Sequence, residues 1–195
     1  MSNPPGEYYT EERWQNWLGR IREEDIDAED EDSARLLLNL QDDTAIAVAK
    51  ILTDYDDGEL DEEQAIGEIE DIEQIVLAEL DFENEEKAML VDGVQTSLMC
   101  VFYAAEEYIA GGPATEGSNE EYVQAAADAE AEEDMDAALG YCVQAGTLII
   151  DGAEMDVGMS EDLDFGFVAE WVNGLDSLQT AMSDPEVVEE EDETA

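Results

Sequence analysis

The chain has 195 residues, of which 56 are Asp or Glu, 6 are Lys or Arg and none is His, so its formal net charge is −50. Without His, it cannot form a Ser-His-Asp triad, a Cys-His dyad or a His-ligated zinc site. The acidity opposes a broad surface for nucleic acids or anionic membranes, because these carry negative charge themselves. Hydrophobic residues make up 44% of the chain, which is typical of a globular protein and not of an acidic disordered one.

The charge predicts a requirement for concentrated salt. On a sphere of roughly 20 Å radius, a charge of this size repels itself by on the order of 250 kcal/mol in pure water. Screening lowers this energy to roughly 70 kcal/mol at about 0.15 M salt and roughly 30 kcal/mol at about 1 M, against a net stability of about 5–15 kcal/mol. The acids are spread over every segment, and the composition resembles that of cytoplasmic proteins of haloarchaea, which keep molar potassium inside. The alternative is an acidic protein of an ordinary cytoplasm, such as a DNA mimic or a tail-bearing adaptor.

Helical periodicity runs through the first part of the chain. Thr10 is suited to cap a first helix, whose apolar stripe is Trp14, Trp17, Leu18 and Ile21. A second helix is predicted over about 33–55, and it should end at Asp57-Gly58 because Gly can adopt the positive φ of a helix C-cap. Asp61 and Gln64 have the spacing of a capping box and start a third helix, with a core face of Ile66, Ile69, Ile72, Val76 and Leu80.

The remaining elements are also predicted to be helices. A fourth helix over about 84–110 is apolar on nearly every side at its centre, so we expect it to be the buried middle element. Gly111-Gly112-Pro113 should end this helix. Two further helices are predicted over about 120–131 and 135–150, and a final one from about Ser160 to Met182.

The sequence therefore predicts an all-α protein, a compact bundle of about six helices with an acidic, frayed C-terminal tail. The predicted units are an N-terminal helical half over 1–110, a linker over 111–119, a C-terminal helical half over 120–183 and a disordered acidic tail over 184–195. We expect the two halves to share one domain.

Several patterns resemble sites of known chemistry. The run 54–61 resembles a calcium-binding EF-hand loop, but with Gly58 in the sixth position Gln64 takes the place of the bidentate Glu. The prediction is therefore a helix–turn–helix with solvated acids. Glu106, Glu107 and Glu170 flank apolar stretches, where burial raises a carboxyl pKa, but they are equally placed to face water.

The two cysteines, Cys100 and Cys142, lie in apolar helical contexts. One hypothesis is that the two cysteines form a single disulfide. Two reduced core thiols are the expectation for a cytosolic protein.

Positive charge gathers near the N-terminus. Arg13, Arg20 and Arg22 are three of the six cations and lie close to Trp14 and Trp17 in the sequence, whereas residues 88–195 contain no Lys or Arg. Because Arg and Trp are frequent hot spots of interfaces, these five residues are the candidate partner-binding site. The alternative is that the two Trp side chains belong to the core and the Arg side chains pair with neighbouring Glu.

The opening run Tyr8-Tyr9-Thr10-Glu11-Glu12-Arg13-Trp14-Gln15-Asn16-Trp17, followed by Arg20-Ile21, resembles an uncharacterised archaeal family. That family has about this length, is seen widely in haloarchaea and is described only as a domain of unknown function. The resemblance covers nearly the whole chain and implies a cytoplasmic archaeal protein. It implies no activity and no site residues.

We expect a cytoplasmic, non-enzymatic protein that binds another macromolecule, with a protein as the partner, as an adaptor or regulatory factor. No catalytic residue, metal ligand or cofactor is predicted. The start of the chain lacks the features of a signal peptide, and the longest apolar run, over 98–105, is far shorter than a membrane span. One alternative is a carboxylate-dependent metalloprotein or enzyme that uses Mg²⁺ or Mn²⁺. The other is a nucleic-acid-associated factor, which the global charge disfavours.

Overall fold

A computed structural model of the chain describes residues 8–27, 29–159, 162–163 and 166–183. These residues form a short 3-10 helix (Val157–Met159) and seven α-helices, which are α1 (Glu11–Glu23), α2 (Glu31–Asp56), α3 (Glu62–Val76), α4 (Glu85–Gly111), α5 (Asn119–Ala131), α6 (Met135–Ile150) and α7 (Phe167–Ser183). No strand occurs within those ranges. The all-α prediction is confirmed, with seven helices where about six were expected. The predicted tail over 184–195 lies outside the described residues, and the division into two halves and a linker stays a prediction.

Local sequence sets where several helices begin and end. The Thr10 hydroxyl accepts a hydrogen bond from the backbone N–H of Arg13 at 3.2 Å and so caps α1. Asp61 and Gln64 form the predicted capping box, with reciprocal bonds of 2.9 and 3.1 Å. Gly58 follows the end of α2 with a φ of 78°, as the C-cap argument requires.

The central helix is α4, which packs against α2, α3, α6 and α7. Its buried residues lie on nearly every side, as predicted, and include Val94, Leu98, Val101, Phe102 and Ala105. By length and composition α4 could cross a membrane, but half of its most apolar window is buried inside the fold. The buried helix of a globular core gives the same weak signal.

Two glycines allow α7 and α6 to approach α4 closely. A Cβ added to Gly174 of α7 would lie 2.7 Å from the carbonyl carbon of Ser97 in α4. A Cβ added to Gly146 of α6 would lie 2.9 Å from Cδ2 of Leu175 and would also meet the methyl group of Ala104. Any larger side chain at these two positions would therefore separate the helices of the core.

Two helix boundaries differ from the predictions, and a side chain from another helix lies at each. The third helix ends at Val76, so Leu80 lies beyond it, and Gln95 of α4 donates to the carbonyls of Val76 (2.8 Å) and Ala78 (3.1 Å). The last helix begins at Phe167 and not near Ser160. There the Glu130 carboxylate of α5 accepts from the backbone N–H of Phe167 at 2.7 Å and caps the first turn.

Candidate functional site

The N-terminal half of the predicted Arg/Trp cluster is built into the fold. Both the guanidinium of Arg13 and the indole N–H of Trp17 donate to the carboxylate of Asp43 in α2, the latter at 2.9 Å. The guanidinium of Arg13 also lies 5.4 Å from the centre of the Tyr9 ring. Trp14 is 1% exposed and belongs to the hydrophobic core. These contacts tie α1 to α2, so Arg13 and Trp14 serve mainly the packing of α1.

The C-terminal half of the cluster stays on the surface. The exposed guanidinium of Arg20 lies 4.9 Å from the centre of the Trp17 ring, and that of Arg22 lies 5.0 Å from the centre of the Phe82 ring. Stacking on a ring leaves the edge of a guanidinium free to donate hydrogen bonds outward. The ammonium of Lys87, in the first turn of α4, donates to the carbonyls of Arg22 (2.9 Å) and Glu24 (2.7 Å) at the end of α1.

A largely apolar groove adjoins the stack of Arg22 on Phe82. It has a volume of about 430 Å³ and lies between the end of α3 and the start of α4. Its apolar lining is Leu77, Ala78, Leu80, Phe82, Ala88 and Met89, and its polar lining is Glu79, Asp92 and Gln95. Met89 is 75% exposed. Phe82 belongs to both features, since one of its neighbours is Arg22 and it also lines the groove.

We name the surface formed by Arg22, Phe82 and Met89 the α1 face. Arg20 stacks on Trp17 on another side of α1, because residues two apart on a helix do not share a face. The structure therefore does not bring all the predicted site residues together. Sequence reasoning found Arg22 and missed Phe82 and Met89. The available signals were an aromatic residue in a short acidic connection and a methionine near the start of a helix. Neither pattern indicates by itself that the two side chains lie beside Arg22.

The carboxylates singled out in the sequence take different positions. Burial, followed by the negative charges of Glu73 and Glu70 on α3, raises the pKa of Glu106 to about 7. Glu107 is exposed. Glu170 of α7 accepts a hydrogen bond from the Ser97 hydroxyl at 3.2 Å. A carboxyl that titrates near neutrality is able to hold and release a proton, and Glu106 has that property.

The acids of the EF-hand-like run bond to tyrosines. The Tyr8 hydroxyl donates to the carboxylate of Asp54, and the Tyr108 hydroxyl donates to the two oxygens of Asp56 at 3.1 and 3.3 Å. The run forms the turn between α2 and α3, in agreement with the predicted helix–turn–helix. In the part of the chain that the structure describes, no group of three or more Cys, Asp or Glu is placed to hold a metal ion.

The comparisons with known proteins give a family and no activity. A family described as an uncharacterized protein conserved in archaea (DUF2150) matches residues 7–191, which is nearly the whole chain. No curated protein and no solved structure gives a significant match to the chain. The resemblance seen in the opening run is therefore confirmed over its full extent, and the chain belongs to the archaeal DUF2150 family.

Proposed function

We propose that this protein binds another protein through the α1 face. The observation that carries the proposal is the stack of Arg22 on Phe82, because it joins a cation to an apolar groove. Arg, Met and aromatic residues are enriched at protein interfaces, where a few of them supply most of the binding energy. The function is therefore that of an adaptor or regulatory factor.

The charge distribution indicates the chemistry of the partner. Four of the six cations, Arg13, Arg20, Arg22 and Lys87, lie on α1 or in the adjacent first turn of α4, on a protein of net charge −50. A carboxylate of a partner would pair with the edge of the Arg22 guanidinium. An aliphatic side chain of the same partner would enter the groove beside Met89. The partner proposed is thus a protein segment that carries a carboxylate next to an apolar side chain.

Arg22 is the cation to replace, because it is exposed, whereas Arg13 binds Asp43 and its loss would disturb α1. The first variant is Arg22→Gln, and the second is Met89→Glu. Arg35→Gln is the matched control, since Arg35 is an exposed cation on α2. Each tagged protein is incubated in molar KCl with a cell extract, with and without nuclease. The retained proteins are identified, and the affinity is then measured with the purified partner.

We expect wild type and the Arg35→Gln control to retain the same protein after nuclease treatment. Both test variants should bind it at least about tenfold more weakly, as expected for loss of a hot spot. An unchanged affinity in both test variants would remove the basis of the proposal. Retention that depends on nucleic acid would favour the nucleic-acid-associated factor instead.

The metal-dependent alternative has weaker support. Glu106 lies near Glu73 and Glu70 between α3 and α4, but no three acids of the described residues are placed to hold a metal ion. Oxygen ligands of this type suit Mg²⁺ and Mn²⁺. Elemental analysis after exhaustive dialysis in chelator-free molar KCl tests it. Stoichiometric Mg or Mn that is lost in Glu106→Gln would favour this alternative over the protein-binding adaptor.

A further inference from the structure

Two thiols that the proposed function does not use lie at the interface of the central helix with α6. Cys100 of α4 and Cys142 of α6 are both free and both 0% exposed. The two helices that carry them are in contact.

The register of this interface places the thiols opposite each other. A Cβ built on Gly146 would lie 3.8 Å from the Cα of Ala104. One turn earlier on the two helices are Cys142 and Cys100, which share the faces of Gly146 and Ala104 because residues four apart lie on one side of a helix. About one turn later, the charge of Asp151, just past the end of α6, contributes to the raised pKa of Tyr108. These three successive pairs indicate that α4 and α6 run in the same direction with a nearly constant register.

The spacing at this interface suits a disulfide. Since a bond from Cα to Cβ is about 1.5 Å long, the Cα atoms of Gly146 and Ala104 are within about 5.3 Å of each other. Disulfides join residues whose Cα atoms are about 4.4–6.8 Å apart. One turn away, Cys142 is close enough to Cys100 to contribute to the raised pKa of that thiol, so the two thiols are neighbours across the same interface.

We propose that Cys100 and Cys142 are a redox-active pair that a small-molecule disulfide converts into an intramolecular disulfide, fastening α6 to α4. One cysteine thiolate attacks the oxidant R–S–S–R, forms a mixed disulfide and releases one R–S⁻. The other cysteine then attacks the mixed disulfide and releases the second R–S⁻. One S–S bond is formed and one is broken in the net reaction, and the two cysteine protons pass to the two released thiols.

Opening of the fold controls the rate of this reaction. Burial raises the pKa of Cys142 to about 12 and raises that of Cys100 as well, with Cys142 as a further cause. The reactive thiolate is therefore scarce in the closed protein. Oxidation would proceed when the α5–α6 hairpin separates from α4, and the disulfide would then hold the hairpin in place.

The test exposes the folded protein in molar KCl to glutathione disulfide and then alkylates the remaining thiols. We expect a product that lacks two hydrogens and contains no free thiol, with Cys100 and Cys142 in one linked peptide. Its urea midpoint should be higher than that of the reduced protein, and a reductant should reverse both changes. Cys100→Ser and Cys142→Ser should each stop at a single glutathione adduct or stay reduced.

A control protein moves one thiol to the exposed side of α6 by combining Cys142→Ser with Gly140→Cys, since a Cβ at Gly140 meets no atom within 4 Å. It should take up glutathione at the new thiol and form no link to Cys100. The proposal would be overturned if wild type gave only glutathione adducts, or if its disulfide lowered the urea midpoint. It would equally be overturned if both thiols of wild type stayed free.

Discussion

Replacing Gly174 by Ala tests the packing of α7 on the central helix. The added methyl group would lie 2.7 Å from the carbonyl carbon and 3.2 Å from the Cα of Ser97, whereas ordinary contacts begin at 3.4 Å. Because both atoms belong to the backbone of α4, no side-chain rotation relieves the clash. One helix must retreat from the other by at least about 0.7 Å, the difference between the contact limit and the closer of these two distances.

The expected loss of stability follows from that displacement. A gap of 0.5–1 Å removes about a quarter to a half of the dispersion energy of the contacts that it separates, and overpacked cores lose about 1–3 kcal/mol. A clash with backbone belongs at the upper end of this range. Ala is favoured over Gly inside a helix by about 1 kcal/mol, so the net loss is about 2 kcal/mol. For a chain of this size that corresponds to a melting temperature lower by about 4–8 °C.

The assay is urea unfolding in molar KCl, because an uncharged denaturant leaves the ionic strength unchanged. Gly140→Ala is the matched control, since Gly140 lies on the exposed side of α6 with no atom within 4 Å of an added Cβ. The free energy of unfolding of the control should rise by about 0.5–1 kcal/mol from helix propensity alone. A Gly174→Ala variant as stable as wild type would contradict the close packing of α7 on α4 at this position.

Three other predictions concern charge. The protein should unfold below roughly 0.5 M KCl, where screening no longer offsets its self-repulsion, and a melting curve that shows a stable fold in dilute buffer would contradict this. Asp43→Asn weakens the bonds from Arg13 and Trp17, so urea unfolding should show a loss of about 1–2 kcal/mol. The pKa of Glu106 rises from 4.5 to about 7 on folding, so the folded state binds the proton more tightly and stability falls as pH rises through that interval. Glu106→Gln should therefore raise the free energy of unfolding by about 1 kcal/mol above pH 7, after allowance for solvent screening. Near pH 4.5 the same substitution should change the free energy of unfolding little. Glu107→Gln makes the same change at an exposed neighbour and serves as the control. Equal behaviour of the two variants in pH-dependent urea titrations would refute the assignment.

The exposure of the acidic side chains agrees with the assumption behind the predicted salt requirement. Among the described residues, Glu68 is the one acid that is buried, so nearly all the acids in that part of the chain face solvent. Their repulsion is therefore exposed to dissolved ions, which is the condition that the screening argument assumes.

Much of the fold could be predicted from the sequence, because the interactions that start and stop most helices are local. Thr10, Asp61 with Gln64, and Gly58 act on backbone groups within a few residues of themselves, and such spacings are visible in a sequence. The all-round apolar centre of α4 likewise indicated its central position. The concentration of cations on α1 is also a property of the sequence alone.

The tertiary structure decided the features that join residues far apart in the chain. Glu130 caps α7 from α5, and Asp43 of α2 takes both Arg13 and Trp17. Because Phe82 packs beside Arg22, this exposed arginine becomes part of the α1 face. Each of these contacts spans roughly 25 to 60 residues of chain, so it exists only after the helices have packed, and no local spacing encodes it.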